Sequence, residues 1–151
     1  LKSTGFDPRR LELEITESTA MSDVSGAISI LKKLSHAGIQ IAMDDFGTGY
    51  SSLSVLKHFP LDTIKIDRSF VKDLVDSPSD AAIASTIIAL AKGLNFKVLA
   101  EGIENPAQRA VLNDMGCDYA QGYWFSRPLT VDEMIAQGAL TQLVAPSDYE
   151  L

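Results

Sequence analysis

Three times along this chain a helical stretch closes on a glycine and passes almost at once into an apolar, strand-like run. The joins are AGIQIAM (37–43), GLNFKVLA (93–100) and MGCDYAQ (115–121). Repetition of one such join restricts the chain to stacked βα units and a parallel sheet. Five strand-like runs fit that scheme: LELEIT (11–16), IQIAMDD (39–45), TIKID (63–67), FKVLAEGI (96–103) and DYAQGYWF (118–125). The pattern between and after them predicts helices over 24–37, within SSLSVLKHF (51–59), and over 77–95, 105–116 and 130–140. Ser22 or Asp23, Ser79 or Asp80, and Asn105 suit the N-caps, with Pro106 at a first helical position. Gly38, the stretch Gly93 to Asn95, and Gly116 suit the helix ends. No linker or low-complexity segment divides the chain before a short tail, VAPSDYEL (144–151).

Alternation along the strands sorts their side chains onto two faces. Leu11, Leu13, Ile15, Ile39, Ile41, Met43, Ile64, Ile66, Val98 and Ala100 fall on the face that suits packing against helices. The other face gathers Glu14, Asp44, Lys65, Asp67, Glu101 and Gln121, each near the C-terminal end of its strand. A parallel sheet normally buries both faces, so polar groups there are costly unless paired, solvated or metal-bound. The strand C-termini are also where (β/α)₈ barrels and open α/β sheets place their sites. Any one of these residues alone reads as a solvated strand end; five strands ending alike read as a site.

The chemistry is constrained by residue type. Glu14, Asp44, Asp45 and Glu101 offer hard carboxylate oxygens suited to Mg²⁺, Mn²⁺ or Ca²⁺. Neighbouring Asp44 and Asp45 are expected to point different ways and so to serve two ions ~3.5–4 Å apart, the spacing of two-metal phosphoester hydrolysis. Lys65 adds positive charge for a phosphate oxygen or an attacking water. There is no CxxC, and His36 and His58 lie in segments expected to be helical, away from the strand ends, which argues against a Cys/His zinc site. The formal charge of −7 opposes general binding to nucleic acid polymers or anionic membranes, yet permits a small anion held by metal ions. No apolar stretch is long enough to span a membrane, and a single cysteine, Cys117, leaves the cytoplasm as the expected compartment.

Other residues read more plainly. Tyr123, Trp124 and Phe125 are strand-end aromatics, more in keeping with packing than with a nucleotide pocket. Arg68 suits either a phosphate or a surface ion pair, Glu12 and Lys97 suit a structural ion pair, and Ile83, Ile87, Leu90 and Leu94 suit a helix core stripe.

With these residues placed, LELEITES, DDFGTGYSSL, DTIKIDRSF, LAEGIE and QGYWFSRPL resemble, in order and over almost the whole chain, the EAL-domain family. These are phosphodiesterases that hydrolyse the bacterial second messenger cyclic di-GMP. The resemblance implies a (β/α)₈ TIM-like barrel with one reversed strand, present here as an arc of about five parallel strands with their helices. It implies two Mg²⁺ or Mn²⁺ ions, with Ca²⁺ inhibitory, and hydrolysis to linear pGpG. By position, Glu14, Asp44, Asp45 and Glu101 match metal ligands. Lys65, Asp67, Glu101 and Gln121 match catalytic positions, and Glu104, Gln121 and Pro128 match substrate-contacting ones. Glu17 matches the glutamate that anchors the glycine loop.

The Glu-Ala-Leu signature itself is absent, as is a downstream strand bearing an Asn ligand. LELEIT matches the fourth of eight strands, so the resemblance makes residues 1–143 the C-terminal part of an EAL domain and 144–151 a flexible tail. It further implies a homodimer, upstream sensory or GGDEF domains, and a parent protein that those domains could tether to a membrane. The isolated chain is then expected to turn over little substrate. The alternatives are a degenerate EAL receptor that binds the nucleotide without cutting it, and an unrelated two-metal or phosphate-binding barrel.

Overall fold

A computed structural model describes residues 3–49 and 53–136. Five strands form one sheet: β1 (Glu12–Thr16), β2 (Gln40–Phe46), β3 (Thr63–Ile66), β4 (Lys97–Ala100) and β5 (Tyr119–Ala120). They lie in chain order and every neighbouring pair is parallel. Sequential parallel pairing with helical crossovers is the arrangement of a (β/α) barrel, and the sheet is an arc of one.

The core lies where alternation put it. Ile41, Met43, Ile64, Ile66, Val98 and Ala100 are each fully buried, against Leu31, Leu56, Val71, Ile88, Leu112 and other residues. Full burial of a side chain such as Ile64 contributes roughly 1.5–3 kcal/mol relative to leaving it in water. The opposite face is open at β1, where Glu12 and Glu14 are exposed, and closes toward β3, where all four residues are buried; Leu13, expected on the core face, is itself 36% exposed.

The helices follow their caps. Asp23 accepts from the Gly26 N–H at the start of α2 (Val24–His36). In α6 (Pro106–Met115) Asn105 caps, Pro106 leads, and Gly116 terminates at φ 79, a left-handed conformation that glycine adopts without steric cost. α5 (Pro78–Gly93) is capped by Ser77, two residues before the expected Ser79, because Pro78 fits the first helical position. Its buried stripe is Ala84, Ile87, Ile88 and Ala91, while Ile83 of the expected stripe is 38% exposed. Two short helices were not foreseen: α1 (Glu17–Ser22), capped by Thr16, and α4 (Arg68–Lys72), capped by Asp67. α3 (Leu53–Leu56) is the short helix expected within 51–59, and His58 lies in the turn after it rather than in the helix. α7 spans Val131–Ala136; the expected continuation to 140, the tail at 144–151 and residues 50–52 of the glycine loop lie outside the described residues.

β4 and β5 are also shorter than expected, since regular pairing stops at Ala100 and Ala120. Beyond them the chain curls around Ile103 instead of running straight. Ile103 N–H donates to the Gln121 carbonyl, Trp124 N–H donates to the Ile103 carbonyl, and Phe125 N–H closes a turn on Gly122.

Candidate metal centre and active site

At the C-terminal end of β2 strict alternation fails. The register with β3 shifts between Met43 and Phe46, and Asp45 takes a left-handed conformation at φ 53. Asp is among the few residues that tolerate that region. Asp45 therefore does not turn away from Asp44. Asp44, Asp45 and Glu101 each present a carboxylate oxygen within 4.8 Å of the others, the one such acidic group among the described residues.

Lys65 is the hub of this cluster. Its side chain is only 5% exposed, and Nζ lies 2.7 Å from Glu14, 2.8 Å from Glu101 and 3.0 Å from Asp44. Burial alone would push its pKa down. Hydrogen bonds to Glu101, Glu14 and Asp44 outweigh that and raise it, so Lys65 stays charged at neutral pH. Glu14, on the exposed edge strand, joins the site through Lys65 rather than through the three-carboxylate group.

The residues fit a hard divalent cation. Besides the all-oxygen donor set, Asp44 Oδ1 is buried, and the Lys65 ammonium at 3.0 Å is its one partner among the described residues. A buried carboxylate oxygen with an unfilled lone pair is costly unless a cation takes it.

Asp67 is placed differently. Its Oδ1 accepts from the backbone N–H and the hydroxyl of Ser69, capping α4, so one oxygen serves the helix and the residue stands outside the three-carboxylate group. Gln121 and Glu104 line a cleft of about 210 Å³ with Arg68, Glu101 and Tyr123. Pro128 lies in an adjoining cavity of about 590 Å³ with Leu99, Gln121, Tyr123 and Phe125. Tyr123 and Trp124 are 56% and 46% exposed, and the Arg127 guanidinium sits 4.6 Å above the Tyr123 ring. The packing expected of these aromatics holds for Phe125 alone, which is partly buried against the core.

A family model described as "EAL domain" matches residues 1–128 of this chain. The chain belongs to the EAL domain family. It is 47% identical over 134 residues to the bifunctional diguanylate cyclase/cyclic di-GMP phosphodiesterase MucR of Pseudomonas aeruginosa, covering 89% of this chain and 20% of MucR. Among solved structures it is similar to the MucR phosphodiesterase in complex with c-di-GMP, at 46% identity and a TM-score of 0.86. That match covers 89% of this chain and 54% of the other. A further match is the manganese/cy-diGMP complex of BlrP1 from Klebsiella pneumoniae, at 36% identity and a TM-score of 0.78, covering 85% of this chain and 33% of that one. The chain thus spans about a fifth of the length of the curated relatives it matches.

In this EAL chain the glycine loop after β2 is tied down by Glu17, which is 2% exposed. Its Oε2 accepts from the Gly47 N–H at 2.9 Å, and a Cβ on Gly49 would lie 2.7 Å from Oε1. Glycine at 49 leaves the space the carboxylate fills. Glu17→Ala should lower stability by about 2 kcal/mol through loss of that buried charge-assisted bond, read by urea denaturation. An unchanged midpoint and slope would show the loop to be held by other means.

The Glu12–Lys97 ion pair does not form as expected. Lys97 pairs with Asp118 at 3.0 Å, and Glu12 accepts from the Thr63 hydroxyl at 3.1 Å. Asp118 begins the turn into β5 and also accepts from Val98 N–H, which holds it beside β4. Sequence reasoning passed over two residues that lie against the segments carrying Glu101, Glu104 and Gln121, namely Gly122, packed on the Ile103 backbone, and Gln108, bonded to Glu104 N–H. Gln108 had a readable signal, the Asn-x-x-Gln spacing of a capping box at 105–108.

Proposed function

We propose that the protein carrying this chain hydrolyses one phosphodiester of cyclic di-GMP, giving linear pGpG, with Mg²⁺ or Mn²⁺ as cofactor. The observation that supports this most is the clustering of Asp44, Asp45 and Glu101 carboxylate oxygens within 4.8 Å of one another, at the strand ends of an EAL fold. Asp44, Asp45, Glu101 and, from the rim, Glu14 would hold the ions. Two such ions supply Lewis acidity and an activated water for in-line attack on phosphorus.

The chain's own residues then divide the remaining work. Lys65 has three N–H donors and places them on three carboxylates, so it fixes their spacing. Its raised pKa rules it out as a general base at neutral pH; a positive charge beside the reacting phosphate is what it can offer. Glu101 faces both the acidic cluster and the small cleft, so it can orient the attacking water and accept its proton. The free Oδ2 of Asp67 sits at the base of the helix that carries Arg68, and Arg68 and Gln121 can meet phosphate oxygens and ribose across the cleft. Glu104 and Pro128 border the two cavities in which guanine bases would lie, with Tyr123 as an exposed ring for stacking.

Calcium, which prefers a higher and looser coordination, is expected to occupy the site and inhibit. A homodimer, with sensory or GGDEF domains elsewhere in the polypeptide, completes the proposal; the second activity of MucR, a bifunctional diguanylate cyclase/cyclic di-GMP phosphodiesterase, supports the further domain. Among the described residues no helix is long and apolar enough to cross a membrane, and a cytoplasmic site accords with the ligand.

The test is chromatography of cyclic di-GMP incubated with the intact polypeptide and Mg²⁺ or Mn²⁺. Wild type should yield pGpG, chelation by EDTA should stop it, and Glu101→Ala should lose at least ~10²-fold in rate. Tight binding with no product from either protein would replace this reading with that of a cyclic di-GMP receptor.

A further inference from the structure

Four polar or charged residues are buried among those described: Glu17, Thr63, Lys65 and Gln108. The first three serve the glycine loop, the Glu12 contact and the carboxylate cluster. Gln108, only 3% exposed, has no part in the chemistry so far.

Its position at the third residue of α6 completes a capping box with Asn105. A capping box needs one side-chain oxygen reaching back to the N-cap N–H. Gln108 Oε1 does this, accepting from Asn105 N–H at 3.2 Å, but it also accepts from Glu104 N–H at 2.8 Å. Nε2 donates in the other direction, to the Val71 carbonyl at 3.1 Å and the Lys72 carbonyl at 2.9 Å. A primary amide has two donor hydrogens and two acceptor lone pairs, and here all four are used. Capping explains one of these bonds and leaves three unexplained.

The three have a common geometry. Val71 and Lys72 end α4, the helix that begins at Arg68, and Glu104 lies on the loop that leaves β4 with Glu101. Arg68 and Glu104 line the same cleft of about 210 Å³. One buried amide therefore joins the two segments that form its walls. The carboxylate cluster is held independently, since Glu101 bonds to Lys65 at 2.8 Å and its N–H to the Ile66 carbonyl at 3.2 Å.

We propose that Gln108 is a positioning residue for the substrate cleft, setting the separation of Arg68 from Glu104 by clamping the end of α4 to the loop after β4. The proposal rests on the phosphodiester reading above. Glutamate at 108 would keep the capping acceptor and set a carboxylate against two carbonyl oxygens. Asn105→Ala, in contrast, removes the bond from Gln108 N–H to Asn105 Oδ1 and leaves the clamp in place.

In the intact polypeptide, Gln108→Glu should raise KM for cyclic di-GMP about tenfold with kcat changed less than about twofold. Deuterium uptake should rise in both 68–72 and 104–105. Asn105→Ala should lower Tm and leave KM and uptake at 68–72 unchanged. Gln108→Met, similar in volume and uncharged, should repeat the KM increase and guards against misfolding of the charged variant. A Gln108→Glu protein that loses Tm with wild-type KM and wild-type uptake at 68–72 would reduce Gln108 to a helix cap and overturn the proposal. If wild type cleaves nothing, the phosphodiester reading fails by itself, and uptake at 68–72 still decides the clamp.

Discussion

Replacing Lys65 with methionine should lower stability by about 3 kcal/mol in metal-free buffer at neutral pH and reduce turnover by ~10²-fold or more. Methionine preserves most of the apolar stem, so the effect isolates the ammonium. In the native site that ammonium lies within 3.0 Å of Glu14, Asp44 and Glu101 and is almost fully buried. Its removal leaves like charges facing one another with reduced access to water, and breaking a buried ion pair from one side typically costs ~3–5 kcal/mol. The lower end applies because the Glu14 side chain is 49% exposed and its pair is screened.

Two signatures separate this from a simple packing loss. Mg²⁺ or Mn²⁺ should restore a larger share of stability to the variant than it adds to wild type, because binding to the folded form stabilises by mass action and the site would have lost its internal cation. The pH dependence is the second. Lys65 is raised above its ordinary 10.5, so its contribution in wild type is fully present below 10.5 and is lost only as pH climbs through the higher folded value. Wild-type stability should show no loss attributable to Lys65 between pH 6 and 9. The variant should be less stable than wild type by the same margin throughout that range, because the missing lysine charge would be constant across it. Urea denaturation in EDTA across that range makes the measurement. A methionine variant with wild-type stability and no response to metal would mean that the cluster does not depend on Lys65.

What the sequence disclosed about this site follows from what periodicity can encode. Alternation needs only that a strand be straight, and along β3 and β4 it placed Lys65 and Glu101 on one face and Ile64, Ile66, Val98 and Ala100 on the other. Asp45 escaped it because a left-handed residue beside a register shift cancels the two-residue period, and neither feature has a period of its own. α1 and α4, of 6 and 5 residues, are too short to show a helical repeat, although Thr16 and Asp67 are ordinary capping residues. The pairing of Lys97 with Asp118 depends on how one segment lies against the next, which no single strand records. The motifs that resemble the EAL family singled out Glu17, Glu104 and Pro128, positions about which alternation and composition say little.

Gly122 gives the other large effect, and its cause is space rather than backbone freedom. A Cβ at this position would sit 2.1 Å from the Ile103 carbonyl oxygen, 2.3 Å from its nitrogen and 2.7 Å from its carbonyl carbon. All three are backbone atoms of a residue whose side chain is fully buried, so no rotamer change can relieve the contact. The chain must instead separate, breaking the bonds that join Ile103 to Gln121 at 3.1 Å and to Trp124 at 3.0 Å. Gly122→Ala should therefore destabilise by about 3 kcal/mol or more, at the upper end for overpacking. Glu101 and Gln121 lie on the two segments forced apart, and misplacement of reacting groups by ~1 Å costs on the order of 10²-fold in rate. Gly93→Ala provides the contrast, since nothing lies within 4 Å of its missing Cβ and it ends α5. That substitution should be neutral or stabilising by up to ~1 kcal/mol, with turnover unchanged. Thermal melts of the two variants beside pGpG formation decide the matter: a Gly122→Ala protein that melts with wild type and keeps its turnover would show that the Ile103 contact yields without moving the site.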